Sequence, residues 1–101
     1  MTNLKAQRLI QGNQLNKTTR RVANNTYATI NDDKSVSIRL HQTDIVTIHV
    51  NDSVEINSGG WMTSTTKSRI NEFTNAGIYQ KNFEWFLSDG TPFVDGMTID
   101  N

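Results

Sequence analysis

The sequence contains no cysteine and one proline, Pro92, among its 101 residues. Without cysteine the chain can form no disulfide, thiolate metal site, iron–sulfur cluster or cysteine nucleophile. Its longest apolar runs are two or three residues, as in Trp85-Phe86-Leu87. A membrane span needs about 20 apolar residues and a signal peptide about 7 to 15. A soluble, non-exported protein without membrane contact is therefore expected.

The ten basic and ten acidic side chains give a net charge of zero, which argues against a uniformly basic nucleic-acid-binding protein. Their distribution is uneven, because the first 21 residues contain no acid and the last 18 contain no base. The residues concerned are Lys5, Arg8, Lys17, Arg20, Arg21, Glu84, Asp89, Asp95 and Asp100. This asymmetry has two interpretations: a basic arm for an anionic partner, or ends that attract each other or neighbouring subunits of a homo-oligomer.

Apolar residues at every second position predict an antiparallel sheet with one apolar face. A first strand begins at Thr26 and stops before the turn-forming residues 31–34. The inward-facing positions predicted for the next three strands, with a kink at residues 42–44, are Val36, Ile38, Leu40, Val46, Ile48, Val50, Val54 and Ile56.

Beyond residue 57 the pattern predicts a helix and a final hairpin. The hydroxyl-rich residues 63–66 offer several N-caps for a helix through Ala76, with Gly77 as its left-handed C-terminal residue. The hairpin comprises residues 78–81 and 83–87, and residues 91–96 form a loop or an edge strand. Inward positions in this part are Trp61 or Ala76, Ile70, Phe73, Phe83, Trp85 and Leu87.

These elements predict an α+β fold, in which a small antiparallel sheet of about five strands is packed by one short helix. The weakly periodic residues 4–15, interrupted by Gly12, are consistent with a weak helix or a mobile arm. We therefore predict a basic N-terminal arm or weak helix over residues 1–22 and a single α+β domain over residues 23–101.

The turn before the helix is a candidate anion-binding site. Gly59 and Gly60 allow backbone N–H groups to approach a ligand, the helix start adds a positive dipole end, and Lys67 and Arg69 add charge. Neither established phosphate-loop pattern is present. The alternative is a tight strand-to-helix turn in which Thr65 is a cap and Trp61 is buried.

A polar strip on the predicted strands accompanies this turn. The strip comprises Arg39, His41, Thr43 and Asp44. The histidines His41 and His49 match no zinc-site spacing, and no catalytic motif occurs in the sequence. An enzyme would need one of these histidines to act with Asp44 as acid and base. We predict a non-enzymatic protein without metal or cofactor, whose ligand-binding residues are Arg39, His41, Thr43, Asp44, Gly59, Gly60, Thr66, Lys67 and Arg69.

The aromatic residues near the C-terminus offer a second candidate surface. Tyr79, Phe83, Trp85 and Phe86 beside Lys81 could stack nucleic-acid bases. Aromatic residues at a period of two are more often part of a core.

Several stretches resemble a group of small proteins encoded by tailed bacteriophages, over about residues 18 to 99. The distinctive motifs are Arg-Leu-His-x-Thr-Asp at residues 39–44 and Asn-Ser-Gly-Gly-Trp at residues 57–61. Members often carry a basic residue after this tryptophan and an acidic one between the lysine and the arginine, where this chain has Met62 and Ser68. If that basic residue contributes to anion binding, its absence weakens the role here.

The resemblance implies a viral accessory protein acting in the cytoplasm of an infected bacterium, and it supplies no established catalytic residues. The expected activity is binding of a host bacterial protein, a nucleotide signal, nucleic acid or another phosphate-containing ligand, with inhibition of a host defence as one such role. The alternative is a minor virion or assembly component.

Overall fold

A computed structural model describes residues 1–100 of the chain as ten helices and strands. In chain order they are α1 (Asn3–Gln11), β1 (Thr19–Ala23), β2 (Thr26–Ile30), β3 (Val36–Leu40), β4 (Thr43–Ile48), β5 (Val54–Ile56), α2 (Ser64–Phe73), β6 (Tyr79–Lys81), β7 (Glu84–Phe86) and β8 (Met97–Ile99). Neither helix within residues 1–100 is long and apolar enough to cross a membrane.

One sheet contains six strands in the order β1-β2-β3-β4-β5-β8, and every neighbouring pair is antiparallel. The strands β6 and β7 form a separate hairpin. The predicted α+β class is confirmed, with six strands in the main sheet where about five were predicted and with two helices.

The core lies on one face of the six-stranded sheet. The alternation predicted for β3, β4 and β5 is confirmed, because Val36, Ile38, Val46 and Ile48 are completely buried. A register shift between β3 and β4 also brings Ile45 into the core. Residues buried from the helices onto this face are Ala6 and Ile10 of α1 and Ile70 and Phe73 of α2.

The N-terminal segment packs against this core as a helix followed by an edge strand. Asn3 fixes the start of α1, since its side-chain amide donates to the carbonyl oxygens of Lys34 and Ile48, both at 2.9 Å. The strand β1 pairs with β2 and is exposed at residues 19–21. Its sequence has no apolar alternation, so periodicity could not reveal it.

Three local predictions were wrong, each at the end of a strand or helix. Val50 was predicted to face inward, but β4 ends at Ile48, so Val50 lies in the following turn and is exposed. The helix α2 ends at Phe73, where Thr74 donates its hydroxyl to the carbonyl of Ile70. Gly77 therefore does not terminate α2, although its φ of 59° is left-handed.

Phe83 was also predicted incorrectly, as an inward residue beside Trp85 and Leu87. Lys81 pairs with Glu84, so Asn82 and Phe83 form a two-residue turn instead of entering the strand. Both turn residues have positive φ, 53° and 65°, as a type I′ turn requires. The Phe83 side chain is 94% exposed, whereas Trp85 and Leu87 are buried.

We predict that Phe83→Gly raises the stability of the protein by about 1 kcal/mol, because glycine removes the cost of a left-handed phenylalanine and forms the favoured Asn-Gly turn. Chemical denaturation measures this change. The matched control is Phe83→Ala, which removes the ring but keeps the Cβ atom and is expected to have little effect. Equal stabilisation by both variants would contradict the conformational explanation.

Candidate functional site

An open cavity of about 600 Å³ lies where the β1–β2 and β3–β4 turns meet the segment that leads into α2. We call it the Trp61 cavity. Its lining residues are Asn25, Leu40, His41, Gln42, Thr43, Ile45, Ser58, Trp61, Thr63, Thr65 and Thr66. Apolar side chains from the sheet therefore share this cavity with hydroxyl, amide and imidazole groups.

The β3–β4 turn forms one wall of the cavity. Leu40 pairs with Thr43, which leaves only His41 and Gln42 to reverse the chain. His41 has a φ of 55°, and its backbone N–H donates to the carbonyl oxygen of Asn25 at 3.0 Å. A two-residue hairpin turn with a left-handed first residue favours glycine, so histidine is unfavourable here on conformational grounds. Unfavourable backbone conformations of this kind concentrate at functional sites.

The glycine turn forms the opposite wall. Gly59 packs directly against Thr43, because a Cβ atom at Gly59 would lie 2.5 Å from the Thr43 hydroxyl oxygen. Its N–H donates to Asn57 Oδ1, the Gly60 N–H to Ser58 Oγ, and the Trp61 N–H to the Ser58 carbonyl. These three N–H groups are used within the loop, so they do not form the free anion cradle that paired glycines can provide.

Asp95, in the loop before β8, anchors the glycine turn through Ser58. One carboxylate oxygen of Asp95 accepts hydrogen bonds from the backbone N–H and the hydroxyl of Ser58, at 2.8 and 2.7 Å. Ser58 is almost completely buried. The contact with Asp95 fixes the position of Ser58, and Trp61, three residues later, lines the same cavity.

Trp61 corrects the sequence prediction most clearly. Trp61 or Ala76 was expected to face inward; Ala76 is buried, whereas 68% of Trp61 is exposed and it lines the cavity. The residues buried in the core from α2 and the segment after it are Ile70, Phe73 and Ala76. The N-cap of α2 is Thr63, whose hydroxyl accepts from the Thr66 N–H, so Thr65 is not the cap. Thr65 and Thr66 both line the cavity.

The two cations predicted on α2 lie apart from each other. Residues two apart on a helix are separated by about 200° of rotation, so Lys67 and Arg69 occupy opposite sides of α2. Arg69 donates through Nε to the hydroxyl oxygen of buried Thr26 at 3.2 Å and lies 3.6 Å from a Glu72 oxygen. Arg69 thus connects α2 to β2.

The predicted polar strip is divided in a similar way. Arg39 and Asp44 form a 2.9 Å ion pair. Their neighbours Leu40 and Thr43 face the cavity, so strand alternation directs this pair to the other face of the sheet. The hydrogen bond and the negative charge of Asp44 raise the pKa of Arg39. His49 lies 3.6 Å from Glu55 and is separate from the cavity.

Of the nine predicted binding residues, His41, Thr43 and Thr66 line the cavity, and Gly59 packs against Thr43. The other residues that line the cavity, above all Trp61, were not among the predicted binding residues. The available signal was a tryptophan directly after two glycines in a turn, because turns and loops lie at the protein surface. Among residues 1–100, no group of three histidine, aspartate or glutamate side chains is placed to hold a metal ion.

Comparison with known proteins identifies one family. The model of the family described as Kyanoviridae Gp96 protein matches residues 5–100, which is nearly the whole chain. No curated protein and no solved structure gives a significant match.

Proposed function

The chain belongs to the Kyanoviridae Gp96 family of bacteriophage proteins, and we propose that it is a non-enzymatic accessory protein that binds a nucleobase-containing ligand in the Trp61 cavity. The ligand classes are a nucleotide signal of the host and single-stranded nucleic acid. The place of action would be the cytoplasm of the infected bacterium. Sequestering such a ligand would inhibit a host defence that depends on it.

The observation that carries this proposal is the exposure of Trp61 at the cavity. A large aromatic side chain that gains little burial within its own chain is suited to stack on a planar ligand. The surrounding Asn25, Gln42 and threonine side chains supply hydrogen-bond donors and acceptors of the kind that read the edges of bases. Leu40 and Ile45 add apolar contact.

The uncharged character of most of the cavity lining favours recognition of the base of a nucleotide over recognition of its phosphate. Among residues 1–100, no lysine, arginine, aspartate or glutamate lines the cavity. The glycine-turn amides are hydrogen-bonded within the loop, and Arg69 is held by Thr26 and Glu72. We therefore expect a nucleoside and its 5′-monophosphate to bind with similar affinity.

Trp61→Ala is expected to weaken binding by about 5- to 150-fold, the effect of removing one stacking contact worth about 1 to 3 kcal/mol. Isothermal titration with the common nucleosides, their 5′-monophosphates and an oligothymidylate measures this change. Trp61→Phe keeps a stacking ring and should retain part of the affinity.

The matched control is Phe83→Ala, which removes an aromatic side chain that is even more exposed than Trp61 and is not part of the cavity. It should leave binding unchanged. No binding of any of these compounds to the wild-type protein would refute the proposal. A larger loss from Phe83→Ala than from Trp61→Ala would transfer the site to the C-terminal aromatic residues.

A second candidate function is a minor component of the virion or of its assembly. The observation that favours it is the opposite charge of the two edge strands of the main sheet, with Arg20 and Arg21 on β1 and Asp100 directly after β8, which suits repeated contact between copies. Mass spectrometry of purified phage particles tests this role. Absence of the protein from the particles would exclude a virion component.

A further inference from the structure

The six-stranded sheet ends in two edge strands, β1 and β8. Each pairs with one neighbour, β2 or β5, and within residues 1–100 no strand of the same sheet lies on its outer side. Such edges present unpaired backbone groups to which another strand can add. A groove of about 370 Å³ runs along β8, and its other wall includes Ala76, Leu87 and Asp89.

The edge at β1 is basic. Arg20 and Arg21 lie on this strand, and no acidic residue occurs before Asp32. Arg20 donates to the Leu9 carbonyl oxygen, and Arg21 to the Ala23 carbonyl and the Asn24 side-chain oxygen. These acceptors are uncharged, so they leave the positive charge of the edge uncompensated.

The edge at β8 is acidic. Asp100 follows the strand directly, and Asp89 faces the same groove from the loop after β7. No lysine or arginine occurs after Lys81. Hydrogen bonds from Thr91 lower the pKa of Asp89, and the carboxylate is charged at neutral pH.

The strand directions permit a contact between these two edges. Six antiparallel strands alternate in direction, so β1 and β8 run opposite to each other. A second copy placed beside the first in the same orientation would therefore bring its β1 antiparallel to β8. Its helices would lie on the same side of the sheet. The pairing within the chain would thus continue across the contact without reversal.

We propose that β1 of one copy adds to β8 of the next, forming a head-to-tail contact that extends the sheet from copy to copy. Like charges oppose pairing of β1 with β1 and of β8 with β8, whereas opposite charges favour β1 with β8. The contact is heterologous, so the rotation between copies decides whether a ring or a filament forms. This inference is independent of ligand binding at the Trp61 cavity.

The association should be weak and sensitive to salt, because β8 has only three residues and the charges are exposed. We expect the average mass in analytical ultracentrifugation to rise with protein concentration between about 10 µM and 1 mM. Arg21→Glu and Asp100→Lys should each raise the dissociation constant about tenfold or more. An equimolar mixture of the two variants should associate again, because each new charge meets its opposite.

Two variants on the exposed β6–β7 hairpin serve as matched controls. Lys81→Glu and Glu84→Lys make the same changes in net charge away from both edges, and each should associate like the wild type. Thermal unfolding of every variant verifies that it is folded. The proposal is overturned if the wild type remains monomeric at low salt, if the mixture of folded variants stays monomeric, or if the hairpin variants weaken association equally.

Discussion

Gly59→Ala is expected to destabilise the protein by about 2 to 4 kcal/mol, the sum of a left-handed backbone penalty and a steric clash. Gly59 has a φ of 63°, and a Cβ atom there would lie 2.5 Å from the Thr43 hydroxyl oxygen and 2.6 Å from its methyl carbon. Thr43 is held in β4 and cannot withdraw freely. Chemical denaturation would measure the loss, and binding at the Trp61 cavity should fall with it.

The neighbouring glycine provides the control for this prediction. Gly60 has a φ of 85°, but a Cβ atom there would meet open space. Gly60→Ala should therefore cost only the conformational part, about 1 to 2 kcal/mol. In the double variant Gly59→Ala with Thr43→Ala, the two closest atoms are absent and part of the stability lost to the clash should return. Equal destabilisation by the two glycine substitutions would argue against the contact with Thr43.

Asp95→Ala is expected to destabilise the protein by about 2 to 4 kcal/mol, because two donors of the buried Ser58 lose their acceptor. Ser58 lines the Trp61 cavity, so ligand affinity should fall as well. Thermal and chemical unfolding report the stability, and titration with the best nucleoside ligand reports the affinity.

Two further substitutions serve as controls. One tests whether the charge of Asp95 matters apart from its hydrogen bonds, and the other tests whether the burial of the donor matters. Asp95→Asn keeps one acceptor oxygen and should retain most of the stability. Asp89→Ala also removes an aspartate that accepts from a backbone N–H, that of Thr91, but Thr91 is exposed whereas Ser58 is buried. It should cost less than Asp95→Ala, since water can replace the lost acceptor. A comparable loss from Asp89→Ala would contradict the role of burial.

The sequence predicted the central sheet well and its periphery poorly. Alternation of Val36, Ile38, Val46 and Ile48 reports directly which side of a strand is buried, because side chains of a strand alternate strictly between faces. The same rule failed at Phe83, which lies in a turn of two residues. Turn length depends on the pairing of the flanking strands, and pairing is not a local property of the sequence.

The candidate site was predicted in part for a related reason. His41, Thr43 and Thr66 were among the predicted binding residues, and all three line the cavity. Arg39 and Asp44 were included because they are neighbours in sequence, yet strand alternation directs them to the opposite face. Proximity along a strand thus identified the right segment without distinguishing its two faces.

By itself, the sequence determined the composition of the protein, the burial of the three central strands and the opposite charges of its two ends. These follow from residue type and local periodicity. Only the tertiary structure placed α1 and β1 against the core, joined the glycine turn to the β3–β4 turn, and put those opposite charges at the two edges of one sheet. It also left Trp61 at the surface, while Ile70, Phe73 and Ala76 are buried in the core. These contacts join residues far apart in the chain, and which of them form depends on the packing of all the elements together.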